Sequence, residues 1–220
     1  MVPRIEPEQP DAFDEALLHE MHAGSLVDRA ELDGARLLGV SVSPVAARSL
    51  VIRESVIEGA VLVGSRLPSM RCIDTRFERA DASSATWVDA RIVRTLLNGC
   101  KLTGVDARGA EFRDVVFNHC KAPDLMLSES TIARVCFNDC RLTGLDLGGA
   151  QIESCAIHGC DARDLRLAGA RIKLLDLRGS MIDGIALDHA SLAGLIIDPA
   201  QAPAIASAIG VRVLAMSDRV

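Results

Sequence analysis

From Val27 to Ile197 every fifth residue is apolar, without interruption over 35 positions. The series includes Leu32, Leu37, Ile52, Ile57, Cys72, Phe77, Trp87, Leu97, Phe117, Phe137, Ile157 and Leu177. The residue two before each member is small or apolar too, from Ser25 and Ala30 to Ala190 and Leu195, and neither set contains Asp, Glu, Lys or Arg. A helix turns about 100° per residue, so a five-residue period would surround its axis with apolar side chains. On a flat strand an odd period alternates faces. The chain must therefore turn a corner about every five residues, with one large and one small side chain inward on each side. That is a solenoid. The number of sides follows from what recurs at intervals of 20: Cys100, Cys120, Cys140 and Cys160; Asn98, Asn118 and Asn138; Phe117 and Phe137. Four units then close one square coil.

Units such as "ARLLG" (35–39), "AEFRD" (110–114), "CRLTG" (140–144) and "LRLAG" (165–169) resemble the pentapeptide repeat proteins. The resemblance implies an all-β solenoid, a right-handed quadrilateral β-helix, and the handedness rests on it alone. With coils about 4.8 Å apart, roughly nine of them give a rod on the order of 40 Å long. Three segments are expected: an acidic N-terminal segment with a capping helix (1–24), the β-helix (25–198), and a C-terminal helix and strand serving as cap and dimerisation module (199–220).

Charge and composition narrow the function. Residues 1–25 hold six acids against Arg4, which is most of the net charge of −6. The remainder is nearly neutral, so a direct nucleic-acid binder is not expected. The start "MVPRIEPEQP" has neither the basic nor the apolar region of a signal peptide, and no apolar run is long enough for a membrane span, so a cytoplasmic location is expected. Seven cysteines in such a chain are read as reduced thiols.

Cys100, Cys120, Cys140 and Cys160 fall on the small inward position and stack in a line. Tetrahedral zinc needs four thiolates converging on one point, and there is no CxxC here. They are read as core packing, with no metal and no cofactor. Cys136 points outward, on the same wall as Asn138 and His158, but a flat wall offers no concave site for thiol catalysis. No enzyme is expected. Asn98, Asn118 and Asn138 are read as an amide ladder continued by His158. The same wall carries an outward apolar stripe of Val56, Leu96, Val116, Cys136, Ala156 and Ile196, a candidate protein-contact surface unless the N-terminal segment folds back over it. A neighbouring wall leans basic, with Arg53, Arg71, Arg91, Arg94, Arg113, Arg134, Arg171 and Lys173.

Both solenoid ends need caps. "QPDAFDEALLHEMHAG" (9–24) has the pattern of a helix, with Phe13, Leu17 and Met21 on one face and Gly24 as terminator. At the other end Asp198 is placed to N-cap a helix begun by Pro199, followed by a strand-like "VRVLA" (211–215). This end resembles the C-terminal module of fluoroquinolone-resistance members of the family. The resemblance implies end-to-end homodimerisation through Ile205, Ile209, Val211 and Val213, and a DNA-mimicking partnership with DNA gyrase or another type II topoisomerase. The near-neutral body favours the other reading, a non-enzymatic scaffold or adaptor for an unidentified protein.

Overall fold

Each five-residue unit becomes a short extended side ending in a corner. The computed structural model describes residues 5–11, 14–41 and 44–213. At nearly every corner one residue takes a positive φ, from Gly34 and Gly39 through Ser84, Gly104 and Asp124 to Gly184. That left-handed residue swings the chain by about a quarter turn, and its N–H bonds the next coil, as Gly99 donates to the Asn118 carbonyl at 2.9 Å. Gly, and after it Asp, tolerate such a φ best, and they hold most of these positions.

The walls stack as parallel ladders in a 20-residue register. The first and second walls run together as eight-residue strands in five successive coils: Arg71–Glu78, Arg91–Asn98, Glu111–Asn118, Thr131–Asn138 and Gln151–His158. Shorter pieces continue them, down to Glu31–Asp33 and Ala35–Leu38 and up to Leu175–Asp176 and Leu195–Ile196. The third and fourth walls are joined by single bridges, such as Asp81 with Lys101 and Thr86 with Asp106. At Ser154, whose corner lacks the positive φ, the register slips against Ala133.

The core lies along the axis. Every described member of the five-residue series from Leu32 to Leu167 is buried, and Phe117 stacks on Phe137 with ring centroids 4.4 Å apart. The series frays at its ends. Val27 is 53% exposed, so the first closed coil begins one unit later than the periodicity implies. Ile172, Leu187, Leu192 and Ile197 are only half-buried.

The two caps differ from one another. Among the described residues the N-terminal helix expected over 9–24 is absent: Glu15–Leu17, N-capped by Asp14, and Ala23–Ser25 are single 3-10 turns, and His19–Glu20 is a strand paired with Ala35–Arg36. The open edge of the first coil explains this. His19 N–H donates to the Gly34 carbonyl at 2.8 Å and Met21 N–H to the Arg36 carbonyl at 2.9 Å, bonds a helix would leave unmade. Leu17 is consequently 74% exposed, and Phe13 lies outside the described residues. At the far end Asp198 does N-cap, in a capping box with Gln201; a 3-10 turn (Pro199–Gln201) leads into α1 (Ala202–Ala208). The Gln201 side chain is turned into the rod, where Nε2 donates to the carbonyls of Leu177 at 2.6 Å and Ser180 at 2.7 Å, closing the last coil. Residues 211–213 form no strand, and Leu214 and Ala215 lie outside the described residues.

The candidate contact wall and the segment that covers it

The cysteine line lies at the corner between the second and third walls. Its thiols do more than fill space. Cys120 N–H donates to Cys140 Sγ and Cys140 N–H to Cys160 Sγ, each at 3.3 Å, and Cys160 N–H donates to Ser180 Oγ at 3.0 Å. Each thiol in turn points at a carbonyl, as Cys140 Sγ does at that of Asn138, 3.2 Å away. The series satisfies backbone groups that the ladder leaves over, as Ser55 and Ser65 do for the N–H groups of Ala35 and Val45. Among the described residues no cluster of His, Cys, Asp or Glu is arranged to hold a metal.

On the second wall the outward positions, one coil apart, read Arg36, Val56, Arg76, Leu96, Val116, Cys136, Ala156, Asp176 and Ile196. A bare wall would expose them. Instead Val56 and Ala156 are 3% exposed and Val116 and Cys136 8%. Residues 5–11 lie along this side of the rod: the Ile5 carbonyl is 3.6 Å from Cys136 Sγ, and a cleft between segment and wall is lined by Ile5, Pro7, Val116, Cys136 and Ala156. The stripe of Val56, Leu96, Val116, Cys136, Ala156 and Ile196 is therefore covered over its middle by the chain itself. Burial holds the Cys136 thiol protonated, pushing its pKa up to about 11, opposite to what a nucleophile requires.

The polar residues of the wall pair in a different order from the one the spacing suggests. Asn138 Nδ2 donates to Asn118 Oδ1 at 2.9 Å, as a ladder should, but Asn98 Nδ2 donates to Glu78 Oε2. His158 turns to the buried Asp176, with Nε2 3.2 Å from Oδ2, and Asp176 also takes a two-pronged pair from Arg178. His158 is thus an end of the ladder and not its continuation.

The sequence places Arg94 and Arg134 on a basic wall; the structure instead pairs them with the two carboxylates that hold the covering segment. The corner between the first and second walls carries Asp74, Arg94, Asp114 and Arg134 at 20-residue spacing. Arg94 grips Asp74 at 2.7 and 2.5 Å, and Arg134 grips Asp114 at 2.6 Å through both nitrogens. Each carboxylate keeps a lone pair for the segment: Asp11 N–H donates to Asp74 Oδ1 at 3.2 Å and Glu8 N–H to Asp114 Oδ1 at 3.1 Å. The Arg94 hydrogen bond holds the Asp74 carboxyl below the usual range. At Asp114 burial alone would raise the value, but Arg134 and the Glu8 N–H outweigh it and lower it. Glu15 then bridges Arg36 and Arg76 on the second wall. The alternation of Asp and Arg was visible in the sequence; the donors that meet it lie 63 and 106 residues away.

At the C-terminal end Ile205 packs partly buried against the core. Ile209, Val211 and Val213 are 51, 52 and 58% exposed.

A four-sided parallel β-solenoid with flat walls of stacked side chains defines a class of repeat protein whose surfaces, and not an internal pocket, meet its surroundings. Residues 90–167 match the family model described as pentapeptide repeat region, and the chain is a parallel β-solenoid of about nine turns, the fold of the pentapeptide repeat β-helices among its structural neighbours. No curated protein matches it. Among solved structures it is similar to HetL, a pentapeptide repeat protein involved in heterocyst differentiation regulation from the cyanobacterium Nostoc, at 15% identity over 80% of this chain and 94% of that one, with a TM-score of 0.50. QnrB1, a plasmid-mediated fluoroquinolone resistance protein, matches at 17% identity over 82% of this chain and 100% of that one, with a TM-score of 0.33. At such identities the likeness is one of fold.

Proposed function

We propose that the chain is a non-enzymatic scaffold or adaptor that binds a protein through the walls of its rod. The observation that supports this best is the fixed presentation of side chains: ladders in 20-residue register hold each outward residue one coil from the next. The first wall offers exposed Arg71, Arg171 and Lys173, with Arg91 and Arg113 sharing Glu111 between them, a net basic face suited to an acidic partner surface. Mimicry of DNA gains less support, because a mimic needs a continuous negative face. Here acids along the rod are neutralised by neighbours: Asp74 by Arg94, Asp106 by Arg108, Asp114 by Arg134, Asp161 by Arg163 and Asp176 by Arg178.

Affinity capture on wild-type protein, with Arg71→Glu/Arg91→Glu as control, tests the reading. A saturable partner that the folded control fails to retain is the expected result. Equal capture by both would remove the first wall from consideration, and weak or absent inhibition of gyrase supercoiling should accompany the expected result.

Homodimerisation through the C-terminus is part of the same proposal. The exposed side chains of Ile209, Val211 and Val213 follow α1, and pairing two rods end to end would cover them. Because Ile205 also packs on the core, Ile209→Asp/Val211→Asp is the cleaner variant. It should sediment as a monomer with an unchanged far-UV spectrum, and a wild-type monomer at micromolar concentration would end the dimer proposal.

A further inference from the structure

The covering segment sits on the rod in a register that its sequence explains. In "IEPEQPD" Pro7 and Pro10 fix φ near −65° and lack N–H groups, and they hold Glu6 and Gln9 in extended backbone. Such a chain advances about 3.1 Å per residue, so three residues span about 9.3 Å. Two coils span about 9.6 Å. The N–H groups that meet the rod are those immediately after each proline, Glu8 and Asp11, three residues apart, and the carboxylates that receive them, Asp114 and Asp74, are two coils apart. Proline spacing and coil spacing thus match.

The two hydrogen bonds from Glu8 and Asp11 are also generic. They run from backbone N–H to carboxylate, so they select a conformation and not a particular side chain. Beneath lies the apolar strip of Val116, Cys136 and Ala156, and beside it Arg94 and Arg134, which feel the negative charges of Asp11 and Glu8. Residues 5–11 add no strand to the ladder. Resting on the scaffold reading above, we propose that this edge of the rod is a binding site for an extended, acidic Pro-x-x-Pro segment of a partner protein, and that residues 5–11 occupy it as a built-in competitor. Tethering gives the chain's own segment a high local concentration, so a partner gains the site only when that segment is released.

Cys136 supplies the readout, because it lies beneath Ile5 whereas the other six cysteines are in the rod's interior. In the full chain, Glu8→Pro/Asp11→Pro removes both N–H donors and leaves the rod untouched. Alkylation of Cys136 by iodoacetamide, followed by mass spectrometry, should accelerate at least tenfold in this variant, with the other cysteines protected. A synthetic peptide Ile-Glu-Pro-Glu-Gln-Pro-Asp at millimolar concentration should then slow it back toward the wild-type rate, and a peptide with proline at its fourth and seventh positions should not. Should the interior cysteines of that variant react as well, Pro7→Gly/Pro10→Gly, which loosens the segment without adding proline, decides by the same readout. Wild-type labelling rates in the released protein, or no protection by the first peptide, would overturn the proposal. Peptide protection needs no native partner, so its failure is distinct from failure of the capture experiment.

Discussion

At the corners of the rod, 16 of the described residues other than glycine hold a positive φ, among them Arg94, Asp114, Glu129 and Arg134. Each costs on the order of 1 kcal/mol relative to glycine, which the ladders on either side offset. Gly194 is a position where no such trade is open. At φ +87 an added Cβ would lie 2.7 Å from the backbone carbonyl oxygens of both Ile172 and Lys173. Gly194→Ala should therefore loosen the final coil, costing about 1–3 kcal/mol, with faster amide exchange near residues 190–205 and an unchanged middle. The thiol line gives a second test at this scale. Cys140→Ala leaves the Cys120 N–H buried without its acceptor and should cost about 2 kcal/mol in urea unfolding. Cys140→Ser should cost less than half as much, because Ser180 already serves the Cys160 N–H in the same geometry. Equal losses would reduce the thiols to simple space-fillers.

Among the elements, the covering segment depends on two carboxylates and is the part most open to acid. Asp74 and Asp114 have folded values below the ordinary 3.8. Arg94 and Arg134 account for part of that lowering within the rod, and the Asp11 and Glu8 N–H bonds for the part that favours the covered state; this contribution is complete above about pH 4 and disappears as pH falls through the lowered values. Amide exchange at Glu8 and Asp11, corrected for its intrinsic pH dependence, should lose protection below pH 4 while the long strands stay protected. Asp74→Asn/Asp114→Asn should be unprotected there already at pH 7. Uniform loss of protection along the whole chain would show that the segment and rod unfold together. The two ends illustrate how an element is chosen by what it must cover. Residues 19–20 became a strand because the first coil offered an unpaired edge, whereas α1 is anchored through Gln201, which meets the last carbonyls from above.

For the molecule as a whole, the phase of the repeat is the determining quantity, because each coil rests only on its neighbours 20 residues away. One residue inserted after Leu142 would shift every later unit, moving neighbours such as Gly144, Gly149 and Arg166 toward inward positions and burying charge. Five inserted residues would rotate later coils by one wall yet keep apolar side chains inside. The single insertion should abolish soluble folded protein, and the fivefold one should keep a β-type far-UV spectrum at reduced stability. Similar outcomes for both would show that inward phase does not govern the fold.

Much of this was legible along the chain. A strict five-residue period is local information: charge at either inward position would be paid for in desolvation in every coil, so the pattern alone specifies a square solenoid and its buried residues from Leu32 to Leu167. The outward direction of Cys136 and the N-cap at Asp198 came from the same local reasoning. The covering of the second wall did not. Whether Val116, Cys136 and Ala156 face water or residues 5–11 depends on bonds from Glu8 to Asp114 and from Asp11 to Asp74, between partners that share no period. The strand at residues 19–20 belongs with it, since helical propensity in residues 9–24 competes with an edge that exists only once the first coil has closed. Repetition records what neighbouring coils require of each other, whereas a single long-range contact is made once and leaves no repeat to read.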